Sequence, residues 1–464
     1  MKVYPLGLDG TIAAISTPVG KSGIGIVRLS GKNALSIADK IFVSSNGRRP
    51  SQCPSHTLYY GRIVDKSEYI DEVLLGVMRA PRTYTREDII EINCHSGIVV
   101  LKRILELVLK CGARLGRPGE FTRRAYLSGR IDLAQAEAVL DVINSQTKEA
   151  LNAALGQLEG RLSGQINALR KNLLDILTQI EASIDFSDQD IEPNSLKELL
   201  KKTEKASQGV KELLDTADRG AILREGITCV ICGKPNVGKS SLLNALLKRD
   251  RAIVTPVPGT TRDTLEETVD LCGIPLRLID TAGIIRGRDL AEKEAVKRSR
   301  KALKEANLLL LVLDTSRKLS SQDTAICRYI SDRPAFVVLN KQDLPAKISR
   351  NEADKVLAGR KALSVSALCG TGLDRLEREI AGFIWQGKAA SCSEILITNI
   401  RHQEALKKAW RSLKRAIKAV KMSRGAEIVA LDIKEAQKSL GEIIGEIRCE
   451  DVLERIFSQF CIGK

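Results

Sequence analysis

At 464 residues the chain is long enough for about three domains of ordinary size, and 43% hydrophobic content can build proper cores. Lys and Arg number 73 against 57 Asp and Glu, a net charge of +16 that favours a polyanionic partner, while 3% aromatic content leaves few stacking surfaces for single-stranded RNA. The 11 cysteines, mostly isolated, suit a reducing cytoplasm better than a disulfide framework, and no apolar run approaches the ~18 residues a membrane span needs.

Residues 1–125 read as an α+β domain. Period-2 alternation predicts strands at 11–16, 24–29, 57–64, 73–78 and 89–93, and helical spacing predicts helices at 34–41 and 97–111. The segment Val19-Gly20-Lys21-Ser22 imitates the end of a phosphate loop. It fails because Ile15 stands where the first glycine belongs, and a turn feeding the strand of Arg28 is the better reading. Residues 130–218 read as long helices. Leu151, Leu155, Leu158, Leu162, Ile166, Leu169, Leu173, Ile176, Ile180 and Ile184 recur at steps of three and four, as in a bundle seam. An acidic, Pro-containing patch at 185–194 breaks that seam, and a charged helix over 196–217 follows.

The apolar run 227–232 then leads into GKPNVGKSS at 233–241 and the helical run 242–248. Strand, glycine loop and helix give the G-x-x-x-x-G-K-S match its mechanism. Gly233 and Gly238 let the backbone curl its N–H groups toward phosphates, Lys239 supplies a cation at the β/γ-phosphates, and Ser240 a hydroxyl for Mg²⁺. Cys229 and Cys232 lie inside the strand and read as buried thiols. GTTRD at 259–263 is the place for a switch loop with a Mg²⁺-binding Thr261. A strand at 278–283 ends in Asp-Thr-Ala-Gly, where Asp280 can hold the Mg²⁺ shell and the Gly283 N–H can sense the γ-phosphate. A strand at 337–343 ends in Asn-Lys-Gln-Asp, and the Asp343 carboxylate can accept from guanine N1–H and the N2 amino group. Adenine would leave that charge unpaired. SVSAL at 364–368 can offer N–H groups to the guanine oxygen. Five elements in this order specify a GTPase. Its expected nucleotide contacts are Gly233, Asn236, Val237, Gly238, Lys239, Ser240, Ser241, Thr255, Thr260, Thr261, Asp280, Thr281, Ala282, Gly283, Asn340, Lys341, Asp343, Ser366 and Ala367.

Residues 400–459 return to helix. Leu406, Trp410, Leu413, Ile417 and Val420 form an apolar stripe, and Lys407, Arg411, Lys414, Lys418 and Lys421 a basic one. The basic stripe reads either as a phosphate-contacting surface or as a solvated face. The chain ends in Phe460-Cys461-Ile462-Gly463-Lys464, which fails as a prenylation signal at Gly463 and Lys464 and reads otherwise as a disordered tail. The simplest architecture is multidomain α/β plus all-α: an amino-terminal domain (1–125), a helical domain in two halves (126–223 and 385–464), and an inserted Ras-like G domain (224–384).

These pieces resemble the MnmE/TrmE family of tRNA-modifying GTPases. The resemblance covers essentially the whole chain. It rests on T-P-x-G-x-x-G-I-G-I-V-R-L-S-G (17–31), R-P-G-E-F-T-R-R-A (117–125), I-D-L-A-Q-A-E-A (131–138), the inserted GTPase and the terminal F-C-I-G-K. It implies a cytoplasmic homodimer whose amino-terminal domains bind a tetrahydrofolate, either 5,10-methylene- or 5-formyl-. It also implies a flavoprotein partner (MnmG/GidA) that brings FAD and NADH in a heterotetramer or larger complex. The implied reaction adds an aminomethyl or carboxymethylaminomethyl group to C5 of the wobble uridine. Carried over residue by residue, the folate contacts are Arg28, Glu91, Arg130 and Lys464, a set that requires the tail to reach the amino-terminal domain, across a dimer. Arg130 stands where the family often has lysine, and Cys94-His95-Ser96-Gly97 where it often has G-H-G-G. Cys461 resembles a family cysteine used in modification.

In many GTPases a glutamine follows D-x-x-G and orients the attacking water; here that residue is Ile284. The resemblance implies two substitutes. One is a K⁺ ion held by Asn236 and the loop at 255–260 (Thr255, Val257, Thr260). The other is a switch II glutamate that positions water, read as Glu292 ahead of its near neighbour Glu294. With Asn236, Lys239 and Cys461, Glu292 completes the expected catalytic set. Rival readings are a ribosome-assembly GTPase and a non-catalytic tRNA-binding scaffold switched by GTP.

Overall fold

The computed structural model describes residues 9–185, 193–250, 266–280, 302–330, 332–348, 360–385, 394–422, 424–446 and 450–464. The chain forms two compact units. The first comprises residues 1–140, 157–171 and 437–464, and the second 141–156 and 172–436.

The first unit is built on a seven-stranded sheet. Its strands are β1 (Ile12–Ile15), β2 (Gly25–Ser30), β3 (Phe42–Ser44), β4 (Thr57–Asp65), β5 (Glu68–Met78), β6 (Ile89–Cys94) and β7 (Arg114–Leu115), in the order β3-β4-β5-β6-β2-β1-β7. Strict alternation decides what each face carries. Val27 and Leu29 of β2, and Ile90 and Ile92 of β6, point into a core with α1 (Ala34–Ile41) and α2 (Ile98–Lys110). Arg28 and Glu91 occupy the intervening positions, opposite each other in the β2–β6 register, so both stand on the other face. There α3 (Glu120–Leu127) packs with α4 (Leu133–Asn144) and α14 (Glu450–Phe457) through Ala125, Tyr126, Leu133, Leu453, Phe457 and Phe460. The Tyr126 hydroxyl donates to the Gly445 carbonyl at 2.7 Å, tying the carboxy-terminal stretch to the amino-terminal domain.

The predicted strand at 73–78 is longer in the structure. It starts at Glu68 as the return arm of a hairpin whose turn places Lys66 at φ 56°. Helix α3 escapes periodicity because it is short and rich in charge. The seam read at 151–184 is interrupted: α5 (Lys148–Leu158) stops, Gly160 turns at φ 88°, and α6 (Arg161–Asp185) begins. Leu162, Ile166, Leu173 and Ile176 are buried, but Leu155 is exposed. Of the patch at 185–194, residues 186–192 lie outside the described residues.

The second unit holds a six-stranded sheet. Its strands are β8 (Ile227–Cys232), β9 (Glu266–Leu271), β10 (Ile274–Asp280), β11 (Leu308–Asp314), β12 (Ala335–Asn340) and β13 (Ala362–Ser364), in the order β13-β12-β11-β8-β10-β9. All neighbours are parallel except the β9–β10 hairpin. A parallel sheet buries both faces, and the sequences show it. In β8, Cys229 and Ile231 feed one core while Val230 and Cys232 feed the other; in β11, Leu308, Leu310 and Val312 face one and Leu309, Leu311 and Leu313 the other. Burial pushes the Cys229 and Cys232 thiols up, Cys232 to about 12, so both stay protonated and inert. Helix α8 (Ala217–Glu225) leads into β8, and helices α9 (Lys239–Asp250), α10 (Ser321–Tyr329) and α11 (Leu373–Trp385) accompany the sheet. In the same unit α7 (Pro193–Asp215) packs along α12 (Ile400–Lys421), so helices preceding and following the nucleotide domain in sequence support one another.

Candidate functional site

The phosphate loop sits where β8 passes into α9, beyond the carboxyl ends of the parallel strands, where open α/β sheets bind their ligands. Two of its glycines are required by geometry. Gly233 has φ 145°, and a Cβ there would lie 2.5 Å from the Val312 carbonyl oxygen. Gly238 has φ 96°, and a Cβ would lie 2.2 Å from Asn340 Nδ2. Asn236, exposed on the loop, is left-handed at φ 67°. The Lys239 ammonium donates to the carbonyls of Gly233 at 3.0 Å and Lys234 at 2.7 Å, closing the loop over itself. Burial lowers the Lys239 pKa, and Asp280 and Cys232 oppose that shift. Ser240 Oγ donates to Asp280 Oδ2 at 2.8 Å, so the Mg²⁺-type hydroxyl and carboxylate converge at the loop's far end.

The guanine-type segments meet the same loop. Asn340 Nδ2 donates to the Val237 carbonyl at 2.9 Å, and Asn340 Oδ1 accepts the Ala367 N–H at 3.0 Å. Lys341 Nζ donates to the Asn236 carbonyl at 2.9 Å. Ser366 Oγ donates to Asp343 Oδ1 at 2.5 Å, with Asp343 exposed. Val237 is buried against the core, and Ser241 is exposed in the first turn of α9. Thus the elements at 233–241, 280, 340–343 and 366–367 form one constellation. The remaining expected positions, Thr255, Val257, Thr260, Thr261, Thr281, Ala282, Gly283 and Glu292, lie outside the described residues.

Two charged groups at this site were not anticipated. Asp314, ending β11 and buried, receives Lys341 Nζ at 2.6 Å, and its pKa is lowered by the Lys341 and Ser316 hydrogen bonds against the opposing effect of burial. Its signal was the acid closing the apolar run LLLLVLD. Lys234 pairs with the buried Asp323 at 2.6 Å, which fastens the loop's outer edge to the start of α10.

The first unit holds a cavity of about 530 Å³ lined by Arg28, Met78, Tyr84, Ile89, Glu91, Arg130, Ile131, Gln135, Val139, Leu158 and Lys464. All four charged residues expected there line it together. Arg28 Nε donates to Glu91 Oε1 at 2.7 Å, and its guanidinium lies 5.8 Å from the Phe121 ring centroid. Arg130 lies 4.8 Å from the centroid of Tyr84, whose hydroxyl is 3.0 Å from Thr122 Oγ1. Tyr84 was missed because one tyrosine in the loop before β6 has no period to betray it.

The tail is docked on the amino-terminal domain, as the set of four charged residues required, and differs from the sequence reading in one respect: it reaches that domain within one chain. The Gly463 carbonyl accepts from Arg28 Nη1 and Ser16 Oγ, both at 3.2 Å, and the Lys464 carbonyl accepts the Phe121 N–H at 3.2 Å. Helix α14 and buried Phe460 carry it there, so no second copy is needed to assemble the four residues. Cys461 is exposed beside Gly119.

Comparisons with known proteins agree along the whole length. A family model described as "GTP-binding protein TrmE N-terminus" matches residues 11–130, and one described as "MnmE helical domain" matches 133–461. Among curated proteins, "tRNA modification GTPase MnmE" of Alkaliphilus oremlandii is 48% identical, over 98% of this chain and all of that one. The proteins of the same description from Geobacillus thermodenitrificans and Bacillus subtilis are 46% and 45% identical, each over 98% of this chain and 99% and 100% of theirs. With both ends of the family pattern and the phosphate loop between them in place, the chain belongs to the MnmE/TrmE family of tRNA modification GTPases.

Proposed function

We propose that this GTPase couples GTP hydrolysis to modification of C5 of the wobble uridine in certain tRNAs, with a tetrahydrofolate bound in the amino-terminal domain. The observation that carries the reading is full-length similarity to tRNA modification GTPases joined to two separately built sites, a phosphate loop and a charged cavity. The cavity fits a folate. Its volume of about 530 Å³ suits a ligand of that size. Glu91 keeps a carboxylate oxygen for a pterin's amide–amidine edge, while Arg130 and Lys464 suit the glutamate tail. A folate there would supply the one-carbon unit; Arg28, by holding both Glu91 and the Gly463 carbonyl, fixes the walls around it.

At the nucleotide site, Ser240 with Thr261 would hold Mg²⁺, and Asp280 its shell. Asp343 would read guanine, helped by Ser366 and Ala367. The side-chain oxygen of Asn236, with the carbonyls of Thr255, Val257 and Thr260, would hold K⁺, which supplies positive charge beside the β–γ bridge. Glu292 would position water, a separate task.

The protein is also proposed to work as a homodimer with a flavoprotein partner of the MnmG/GidA kind in the cytoplasm. Val43, Leu58, Tyr60 and Leu74 are 54%, 66%, 52% and 44% exposed. In register they share the sheet face of Glu91 and Arg28: Leu58 is opposite Gly76, and Gly76 opposite Glu91. A second copy of this chain is the natural cover for such a face. No described helix is long and apolar enough to cross a membrane.

The test is mass spectrometry of tRNA nucleosides from cells lacking the protein. Wobble uridines should lose the aminomethyl-type group; an unchanged nucleoside profile rejects the function. A second expectation concerns hydrolysis. GTP turnover should be fast in KCl and slow in NaCl at equal ionic strength. Asn236→Ala should lose the K⁺ stimulation, and Glu292→Ala should keep K⁺-dependent association of G domains while hydrolysing slowly. Equal rates in the two salts would remove the potassium step.

A further inference from the structure

We propose that the outward face of α12, joined by Lys211 of α7, is the surface on which this protein holds the phosphate backbone of its RNA substrate; this rests on the tRNA reading above. The 22 residues of α12 carry eight Lys or Arg and a single acid, Glu404. The inward stripe is buried: His402, Leu406, Ala409, Leu413, Ala416, Ile417 and Val420. The outward one presents Lys407, Arg411, Lys414 and Lys418 at steps of four, three and four, all exposed. That spacing puts successive Cβ atoms about 5–6 Å apart along one helix face, so that long side chains rooted there reach neighbouring phosphates of one strand.

A helix that needs only to be wetted interleaves the two signs. Its neighbour α7 does so, with five Lys against four acids, including a Lys202–Glu198 pair at 2.8 Å and a Lys211–Asp215 pair at 2.5 Å. On α12 the acids of adjacent elements answer only the flanks. Glu204 of α7 takes Lys421 at 2.8 Å, and Asp432 and Glu435 of α13 (Ala426–Ile444) take Arg415. Lys407, Lys408, Arg411 and Lys418 form no ion pair among the described residues. Like charges three and four apart destabilise a helix, so the stripe is retained at a cost that an anionic ligand would remove. At its centre, half-buried Trp410 holds two ammonium groups from different helices, Lys211 at 5.5 Å and Lys414 at 5.4 Å from its ring centroid. The aromatic ring keeps both cations together at the surface. None of these residues is in the nucleotide constellation or the folate-type cavity.

Phosphate contacts make affinity depend steeply on salt, because each one releases condensed counterions. The test is binding of labelled tRNA to the full chain, by fluorescence anisotropy, as KCl rises from about 50 to 200 mM. The combined variant Lys407→Gln, Arg411→Gln, Lys414→Gln, Lys418→Gln should lower the log–log salt slope by about 3 and weaken binding at least tenfold. RNA-free GTP turnover should be unchanged. Replacing the three lysines by arginine instead should keep the slope. If the fourfold variant misfolds, Lys407→Gln with Lys418→Gln should lower the slope by about 1.5. A parent that binds tRNA and variants that bind it equally, with the same slope, would overturn the surface alone and leave the tRNA reading standing. Loss of an acidic protein partner with unaltered RNA binding would also overturn it. A parent that binds no tRNA at any salt would remove the tRNA reading and the surface together.

Discussion

Gly463→Ala is expected to weaken binding of 5-formyl-tetrahydrofolate by at least tenfold while leaving GTP binding as it was. Gly463 has φ 99°, where a residue with a Cβ is strained by about 1–2 kcal/mol. The added atom would also lie 2.4 Å from the Ile15 carbonyl oxygen and 2.8 Å from Ser16 Cα. Those are backbone atoms at the end of β1, held by the pairing of Ile15 with Val27 of β2 and by the Ser16 N–H, which donates to the Ile26 carbonyl at 2.8 Å, so moving them breaks the edge of the sheet. The tail must therefore lift. Lifting breaks the bonds from Arg28 and Ser16 to the Gly463 carbonyl and from the Phe121 N–H to Lys464. A hydrogen bond to a charged group contributes about 1.5–3 kcal/mol, so the Arg28 contact alone is enough for a tenfold effect. Lys464 leaves the cavity wall at the same time. The nucleotide constellation spans 233–367 and uses none of these groups, so it is the internal control. Calorimetric titration with the folate and with GTP measures both. Equal folate affinity in the variant and the parent would mean that the tail is not part of the pocket.

That prediction could not have been made from sequence. The phosphate loop was legible because its donors are contiguous: Gly233, Gly238, Lys239 and Ser240 act on one ligand within eight residues. Asp280 and Asn340 were legible because each closes an apolar run at the end of a strand, where a parallel sheet places its chemistry; the strand read at 337–343 stops at Asn340, and Asp343 follows in the turn, legible only as the last residue of Asn-Lys-Gln-Asp. Asp314 closes such a run too. What gives it meaning is the parallel register that sets it opposite Asn340, beside Lys341, and register is a tertiary fact. The cavity was harder. Arg28 and Glu91 face each other across two strands 63 residues apart, and the tail arrives 435 residues after Arg28. Only the family resemblance joined those points, and it carried the charges without Tyr84 or the Phe121 ring beneath Arg28. The helical seam was over-read for the opposite reason. Steps of three and four continue through 151–184, but periodicity does not register that Gly160 has left the helix.

Gly238→Ala is expected to reduce affinity for both GTP and GDP on the order of a hundredfold or more, through a residue that lies 102 positions away. The obstacle is Asn340 Nδ2, 2.2 Å from where the Cβ would stand. Asn340 is 2% exposed, and both ends of its amide are engaged, Nδ2 with the Val237 carbonyl and Oδ1 with the Ala367 N–H. Rotating it away would leave buried polar groups unsatisfied at about 1–3 kcal/mol each. Moving it bodily would disturb β12, which is paired to β11 and β13. The cheaper escape is for the loop to rise from its seat, and φ 96° at Gly238 already favours that by straining any L side chain. Once the loop rises, Lys239 loses its anchorage on the carbonyls of Gly233 and Lys234, and the N–H groups no longer converge on a phosphate. This account makes the two residues energetically coupled, not merely both important. In a double-mutant cycle on nucleotide affinity, Gly238→Ala should cost less when Asn340→Ala has already removed the amide, with a coupling on the order of 1 kcal/mol or more. Strictly additive losses, or a Gly238→Ala variant that binds GTP like the parent, would show that the contact between the phosphate loop and the guanine segment does not set the shape of this site.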